Sequence, residues 1–325
     1  LQRVCLGAVA VALLASGCSL LSTHDRGPGA DAPWPADAPP AVELAGVPFH
    51  PQDQYQCGPA ALATLLGASG IAVAPEDLVA EVYIPARKGS LQTEMLAATR
   101  QRGRIAYVLE PSIAALVHEL AAQRPVLVLL NLGVRSWPIW HYAVVIGYEE
   151  DTHALLLRSG TTERQRMSLR RFSGAWSRAD HWAYVALSPG ELPVRGSGER
   201  YAAAVADLEG VDPAAALLAY EAGIARWPES PLLRLGAANA LLAQGDMPAA
   251  ESALTALLGI SPADAAARNN LAELLSLRGC RDAALAQIEL ARSAAQGSPL
   301  APAIAQTAAE IESRGADPAA QCPAP

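Results

Sequence analysis

The last third of this chain is governed by glycine and proline punctuation that returns every 34 residues. Trp227-Pro228 is matched by Ser261-Pro262, Gly245 by Gly279, Leu241 by Leu275, Ala250 by Ala284, and Glu221 by Glu289 two periods on. Between these marks the text is Ala- and Leu-rich and helical, with a glycine where two helices turn and a proline after the second. A helix pair of this kind cannot bury its apolar stripe alone, so the period predicts stacked pairs that share one core and leave a concave groove. Such a groove suits an extended peptide or a partner helix.

Length leaves room for a second body of ordinary size ahead of the repeats, since the chain has 325 residues. Twenty-four Lys+Arg against 32 Asp+Glu give a formal charge of -8. The chain therefore lacks the cationic excess that drives counterion release on a nucleic acid, and no nucleic-acid partner is expected. The five cysteines, Cys5, Cys18, Cys57, Cys280 and Cys322, fall at no ligand spacing and have no accompanying His pair. No metal or other cofactor is expected.

At the N-terminus, Arg3 precedes an apolar run from Val9 to Leu14 that is too short to span a bilayer and has the proportions of a signal peptide. Leu14-Ala15-Ser16-Gly17-Cys18 resembles a bacterial lipobox, with Ala15 standing where the motif prefers Leu. The resemblance implies lipidation of Cys18 and attachment to the cell envelope, with Ser19 pointing to the outer membrane facing the periplasm. Residues 19–42 follow as a Pro/Ala/Gly/Asp-rich flexible tether.

The text changes at Val47. A Pro/Gln-rich extended stretch, Gln52-Asp53-Gln54-Tyr55-Gln56, runs into Cys57, and Gly58-Pro59 opens an apolar helix through Leu62, Leu65 and Leu66. Cys57 thus stands at a helix N-terminus, where the macrodipole favours the reactive thiolate. Downstream, residues 125–130 form an apolar strand, and His141-Tyr142-Ala143-Val144-Val145-Ile146-Gly147-Tyr148 forms another that turns at 149–152 into 153–158. A thiol on a helix and an imidazole at the start of a strand are the parts from which a general base can reach a sulfur nucleophile. Ser90 is expected to cap a helix with Thr93 and Glu94 in its first turn. His24, His50, His118, His153 and His181 share no spacing.

The Gln-x4-Cys-Gly-Pro-Ala and His-Tyr-Ala-Val-Val-Ile-Gly-Tyr blocks, in that order, resemble the C39 peptidase family, known for processing double-glycine bacteriocin leaders, and more closely its stand-alone C39-like relatives. The resemblance covers roughly 47–187. It implies a papain-like fold with Cys57 as nucleophile, His141 as general base and an upstream glutamine as oxyanion donor. Gln52 is the first choice for that donor, with Gln54 and Gln56 in reserve. The family also places an Asp on the strand after the histidine, and here that place falls at Leu157-Arg158-Ser159-Gly160 with no carboxylate. Pairing across the hairpin brings Ser159 or Thr161 near His141, so a hydroxyl replaces the acid unless a distant one such as Asp180 supplies it.

The 34-residue period is the length of a tetratricopeptide (TPR) repeat. The expected architecture is an α+β papain-like cysteine peptidase domain over 43–190, a short polar linker over 191–199 and an all-α TPR solenoid over 200–318. Cys280 and Cys322 are expected to pair in an oxidising compartment and pin the last helix. The leading function is an envelope-anchored cysteine peptidase acting on a polypeptide, with a protein or peptide partner in the TPR groove. The alternative is a catalytically impaired papain-like lipoprotein that serves as a binding module. With no Walker A sequence and no transporter span, the chain is not a full exporter.

Overall fold

The computed structural model describes residues 34–51, 56–317 and 319–323. Its first half is built on a seven-stranded sheet. Strands β1 (Ala41–Glu43), β4 (Ile105–Val108), β5 (Val126–Asn131), β6 (Trp140–Glu149), β7 (Ala154–Ser159), β8 (Thr162–Ser168) and β9 (Ala183–Leu187) make it up, while β2 (Tyr83–Ile84) and β3 (Gly89–Ser90) pair separately. The order is β4-β9-β5-β6-β7-β8, with every pairing antiparallel. Strand β1 lies alongside the far end of β6, Ala41 opposite Glu149 and Glu43 opposite Gly147. A Cβ on Gly147 would fall 2.2 Å from the Val42 carbonyl oxygen, so only glycine permits that approach.

Helices α1 (Cys57–Ala68), α2 (Pro75–Val82), α3 (Gln92–Arg100), α4 (Ile113–Ala121) and α5 (Leu169–Ser177) cover this sheet. Helix α1 is apolar almost all round and is accordingly buried from Gly58 to Leu66. All six residues of β5 are buried, as the uninterrupted apolar run requires of a central strand. The edge strand β8 is polar, and Arg164 and Arg166 pair with Glu43 and Glu149, which protects the edge with charge.

The second half consists of helices: α6 (Gly198–Glu209), α7 (Pro213–Arg226), α8 (Pro231–Ala243), α9 (Met247–Ile260), α10 (Ala265–Leu277), α11 (Arg281–Ala294) and α12 (Ala301–Ser313). Gly245 and Gly279 take positive φ in the turns between α8 and α9 and between α10 and α11. Asp212 and Asp246, one period apart, cap α7 and α9 by accepting from Ala215 N and Ala249 N. One period further the N-cap residue is Cys280, which caps nothing with its side chain and instead forms a disulfide with Cys322. The returning tail is also held by Asp317 N donating to the Gly279 carbonyl and by the Arg278 guanidinium donating to the Gln321 carbonyl.

The tether expected to be flexible and the short polar linker are both fastened where they meet the fold. The tether of residues 19–42 ends early. Trp34 packs on Tyr148, Tyr148 donates to the Pro39 carbonyl, and Asp37 pairs with both His118 and Arg195. Cys5, Cys18, His24 and the rest of the leader lie outside the described residues. The linker of residues 191–199 is not a free spacer either. Glu119, 1% exposed, accepts from Val194 N, Arg226 donates to the Pro193 and Val194 carbonyls, and Tyr201 donates to the Glu191 carbonyl. Helix α6 then packs on β4, Tyr107 against Tyr201, with Arg100 reaching Asp207 at 2.5 Å. One apolar core runs from the sheet into α6, α7 and α8. No helix among the described residues is long and apolar enough to cross a membrane.

Candidate active site

Helix α1 delivers Cys57 as its first residue, half-buried, and the remainder of the helix is locked in the core. The sulfur faces the backbone amide of Tyr142, the residue after His141, so α1 brings the thiol to the start of β6. Among the described residues no hydrogen bond joins Cys57 to His141. The imidazole is instead held by Ser159, with His141 Nε2 lying 2.9 Å from Ser159 Oγ. The register explains this contact. Val144 pairs with Arg158, so one step further along each strand Ser159 falls beside Ala143, on the face that His141 shares.

With Nε2 engaged by a hydroxyl, Nδ1 is the ring nitrogen left for a thiol proton. Burial moves His141, pushing its pKa below the ordinary 6.5, and among the described residues no carboxylate acts on it. Asp180 does not take the acid's place. It influences its neighbour His181 and lines a cleft with Arg87 and Lys88. Cys57 departs from the thiolate expected at a helix N-terminus. Burial pushes its thiol up, and the amides of Tyr142, Gly58 and Cys57 itself offset only part of that. Desolvation outweighs the macrodipole here, and both shifts favour a neutral thiol and a neutral imidazole at rest.

Gln52 and Gln54 lie outside the described residues. Gln56 is exposed at the N-cap of α1, and its side chain caps nothing. Ser90 is not the helix cap its sequence context predicts, because α3 starts at Gln92 with Leu91 as its uncapped N-cap. It sits in β3 against α1, and a Cβ on Gly58 would fall 2.0 Å from Ser90 Oγ. Glycine after Cys57 is therefore a packing requirement as well as part of a motif.

Arg158 is a group the sequence reading did not single out. It is 7% exposed, and its guanidinium donates to the carbonyls of Ala45, Val47 and Glu163. Those contacts fix the segment that leads towards the glutamines. A second unanticipated feature is the loop before His141, which exposes Leu132, Val134, Trp137, Ile139 and Trp140. Among the described residues no group of three or more His, Cys, Asp and Glu side chains could hold a metal ion.

A thiol at a helix start and a hydroxyl-backed imidazole on an antiparallel sheet define a cysteine-peptidase type of domain. Residues 44–184, less than half of the chain, match the model of the Peptidase_C39 like family. Among solved structures, one of a candidate C39-like peptidase from Bacillus anthracis is similar at 19% identity and a TM-score of 0.38, over 45% of this chain and 97% of its own. A search of curated proteins gives no match.

Proposed function

We propose that this protein is a thiol peptidase of the cell envelope, acting on a polypeptide. The observation that carries this is the 2.9 Å contact between His141 Nε2 and Ser159 Oγ, on an imidazole adjacent to the amide that faces the Cys57 sulfur. Ser159 accepting from Nε2–H leaves the Nδ1 lone pair free. Nδ1 takes the thiol proton as Cys57 Sγ bonds to the scissile carbonyl carbon, and the tetrahedral oxyanion collapses with that proton passing to the leaving amine. Water then adds to the thioester, with His141 again as base, and releases the acid and the free thiol. The oxyanion donors are the amide of Cys57 and an upstream glutamine, Gln52 first.

The test is labelling by iodoacetamide followed across pH. A thiol held above its ordinary pKa is mostly protonated at pH 7, so rapid alkylation of Cys57 requires the imidazole. His141→Ala is expected to slow labelling by about tenfold or more. Because the imidazole works when neutral and its pKa is lowered, the wild-type rate should fall at a more acid pH than an ordinary imidazole would dictate. Equal labelling rates in the wild type and His141→Ala would leave the second reading, an inactive papain-like module.

The address is proposed on the lipobox-like Leu14-Ala15-Ser16-Gly17-Cys18: a lipid on Cys18 holds the protein at the outer membrane, facing the periplasm. Labelled palmitate should enter the wild type and not Cys18→Ser; unlipidated wild-type protein recovered from the soluble periplasm refutes it. The 34-residue spacing of Gly245 and Gly279, with helix pairs α8–α9 and α10–α11 on either side of them, supports a TPR-type groove for a protein or peptide partner.

A further inference from the structure

The loop over 132–140 carries Leu132, Val134, Trp137, Ile139 and Trp140, all of them exposed, and Trp137 is 81% so. Elsewhere among the described residues, large exposed apolar side chains are scattered singly over the helical half, as at Leu218, Ile260 and Leu290. A concentration of this kind marks contact with a membrane or with another protein.

The backbone of the loop decides between the two. A segment that enters lipid finds no water for its amides, and each one left unpaired is costly. Here Leu132 N donates to the Ile139 carbonyl at 2.8 Å, and Val134 N and Trp137 N donate to one another's carbonyls. Gly133 N and Ile139 N both donate to Oδ1 of buried Asn131 at 3.0 Å. Pro138 has no amide to satisfy. Over 132–139, only the amides of Arg135 and Ser136, at the tip, have no acceptor among the described residues. Protein interfaces carry hydrogen bonds around an apolar centre, and this loop has withdrawn its amides from such use.

Charge points to anionic lipid in particular. The whole chain carries a formal charge of -8, but from 131 to 148 it has no carboxylate and one guanidinium, Arg135. The cleft at the foot of the loop, walled by Trp140, adds Arg87 and Lys88 against the carboxylate of Asp180. Arg178 donates to the Asn131 carbonyl at 2.9 Å, beneath the same loop. Tryptophan with neighbouring cations settles at headgroup level, the rings at the acyl boundary and the guanidinium snorkelling to the phosphates.

We propose that the 132–140 loop seats in the interface of an anionic phospholipid surface, with Trp137 and Ile139 at the acyl boundary and Arg135 at the phosphates. Trp140 directly precedes His141, so the seated loop holds the candidate active site at that surface. The inference stands on the loop and needs neither a catalytic Cys57 nor a lipid on Cys18. It is compatible with such a lipid. Trp34 is fastened on Tyr148, about 27 Å from Trp140 along β6. Residues 19–33 span up to about 50 Å when extended, so an anchor and the loop can share one surface.

The test adds the full chain to vesicles of phosphatidylcholine and phosphatidylglycerol in equal parts, brominated on their acyl chains, and follows tryptophan emission. Bromine in the acyl region quenches only rings that reach it. The wild type is expected to shift its emission to the blue and to lose the part that Trp137 contributes, read as the difference from Trp137→Phe. That variant changes an exposed ring and leaves the core alone. Cys57→Ala should be quenched as the wild type is, while Arg135→Glu, and brominated phosphatidylcholine alone, should each weaken the quenching.

No quenching in the wild type overturns the proposal, as does equal quenching in Trp137→Phe or undiminished quenching without phosphatidylglycerol. A protein partner or a second copy on the loop would shield Trp137 from acrylamide without lipid and leave bromine without effect, which overturns it too. Normal quenching in a protein whose Cys57 alkylates equally fast with and without His141 keeps this inference and sinks the peptidase reading. Imidazole-dependent alkylation without quenching does the reverse.

Discussion

Cys57→Ala is expected to bring peptide turnover to background, a loss on the order of 10⁴-fold or more, while the protein keeps its fold. Alanine suits the first position of α1 and keeps the Cβ of a residue only partly buried against the core, whose fully buried residues in that helix begin at Gly58. His141→Ala should lose nearly as much, since the raised thiol pKa leaves little thiolate at pH 7 without a base. The double variant should be no worse than either single one, because thiol and imidazole act as a unit. Gln52→Ala should cost less, about a hundredfold, as loss of one oxyanion donor does. Melting curves and kcat/KM measured on the same samples check this. Turnover by Cys57→Ala equal to the wild type, or additive losses in the double variant, would refute the assignment.

The legible parts of the chain were those where one residue type answers to one physical demand. Gly245 and Gly279 take the positive φ their spacing implies, and the apolar run of β5 is buried as a central strand must be. The hairpin register around Val144 and Arg158 follows from alternation, which is why Ser159 could be placed near His141 from sequence pairing.

What escaped was decided by tertiary contacts. Ser90 carries the local signature of a cap, yet the space it fills is opened by Gly58, 32 residues earlier in the chain. The thiolate expected from the macrodipole is opposed by burial that only the assembled sheet creates. The fastened end of the tether depends on Tyr148, His118 and Arg195, none of them near Trp34 or Asp37 in sequence. Trp137-Pro138-Ile139-Trp140 looks like core text, and only the bracing by Asn131 explains why it faces outward. The Arg158 side chain, by contrast, left a signal that could have been used: a cation directly after Leu155-Leu156-Leu157 in a buried strand must meet acceptors.

Arg158→Met is the change expected to damage stability most while leaving every proposed catalytic group in place. Methionine fills similar space but donates nothing, so the carbonyl of buried Val47 loses its partners inside the fold, while those of exposed Ala45 and Glu163 can turn to water. The stranded buried acceptor costs about 1–3 kcal/mol, and removing a buried cation returns part of that by relieving its desolvation. The net expectation is a loss of about 1–2 kcal/mol. Function should fall further than the melt implies. The Arg158 side chain leaves the strand on one face to hold residues 45–47, which lead towards the glutamines, while Ser159 leaves it on the other to hold His141. Freeing the first segment loosens the approach to the proposed glutamine donor without touching the imidazole. Kinetics at a temperature where the variant is fully folded should therefore show a reduced kcat with the acid limb of His141 in its wild-type position. Arg158→Lys, which keeps the charge but cannot span three carbonyls, should fall between the two. A Met variant within about 0.5 kcal/mol of the wild type in denaturant unfolding, with unchanged kcat, would mean that these carbonyl contacts do not brace the site.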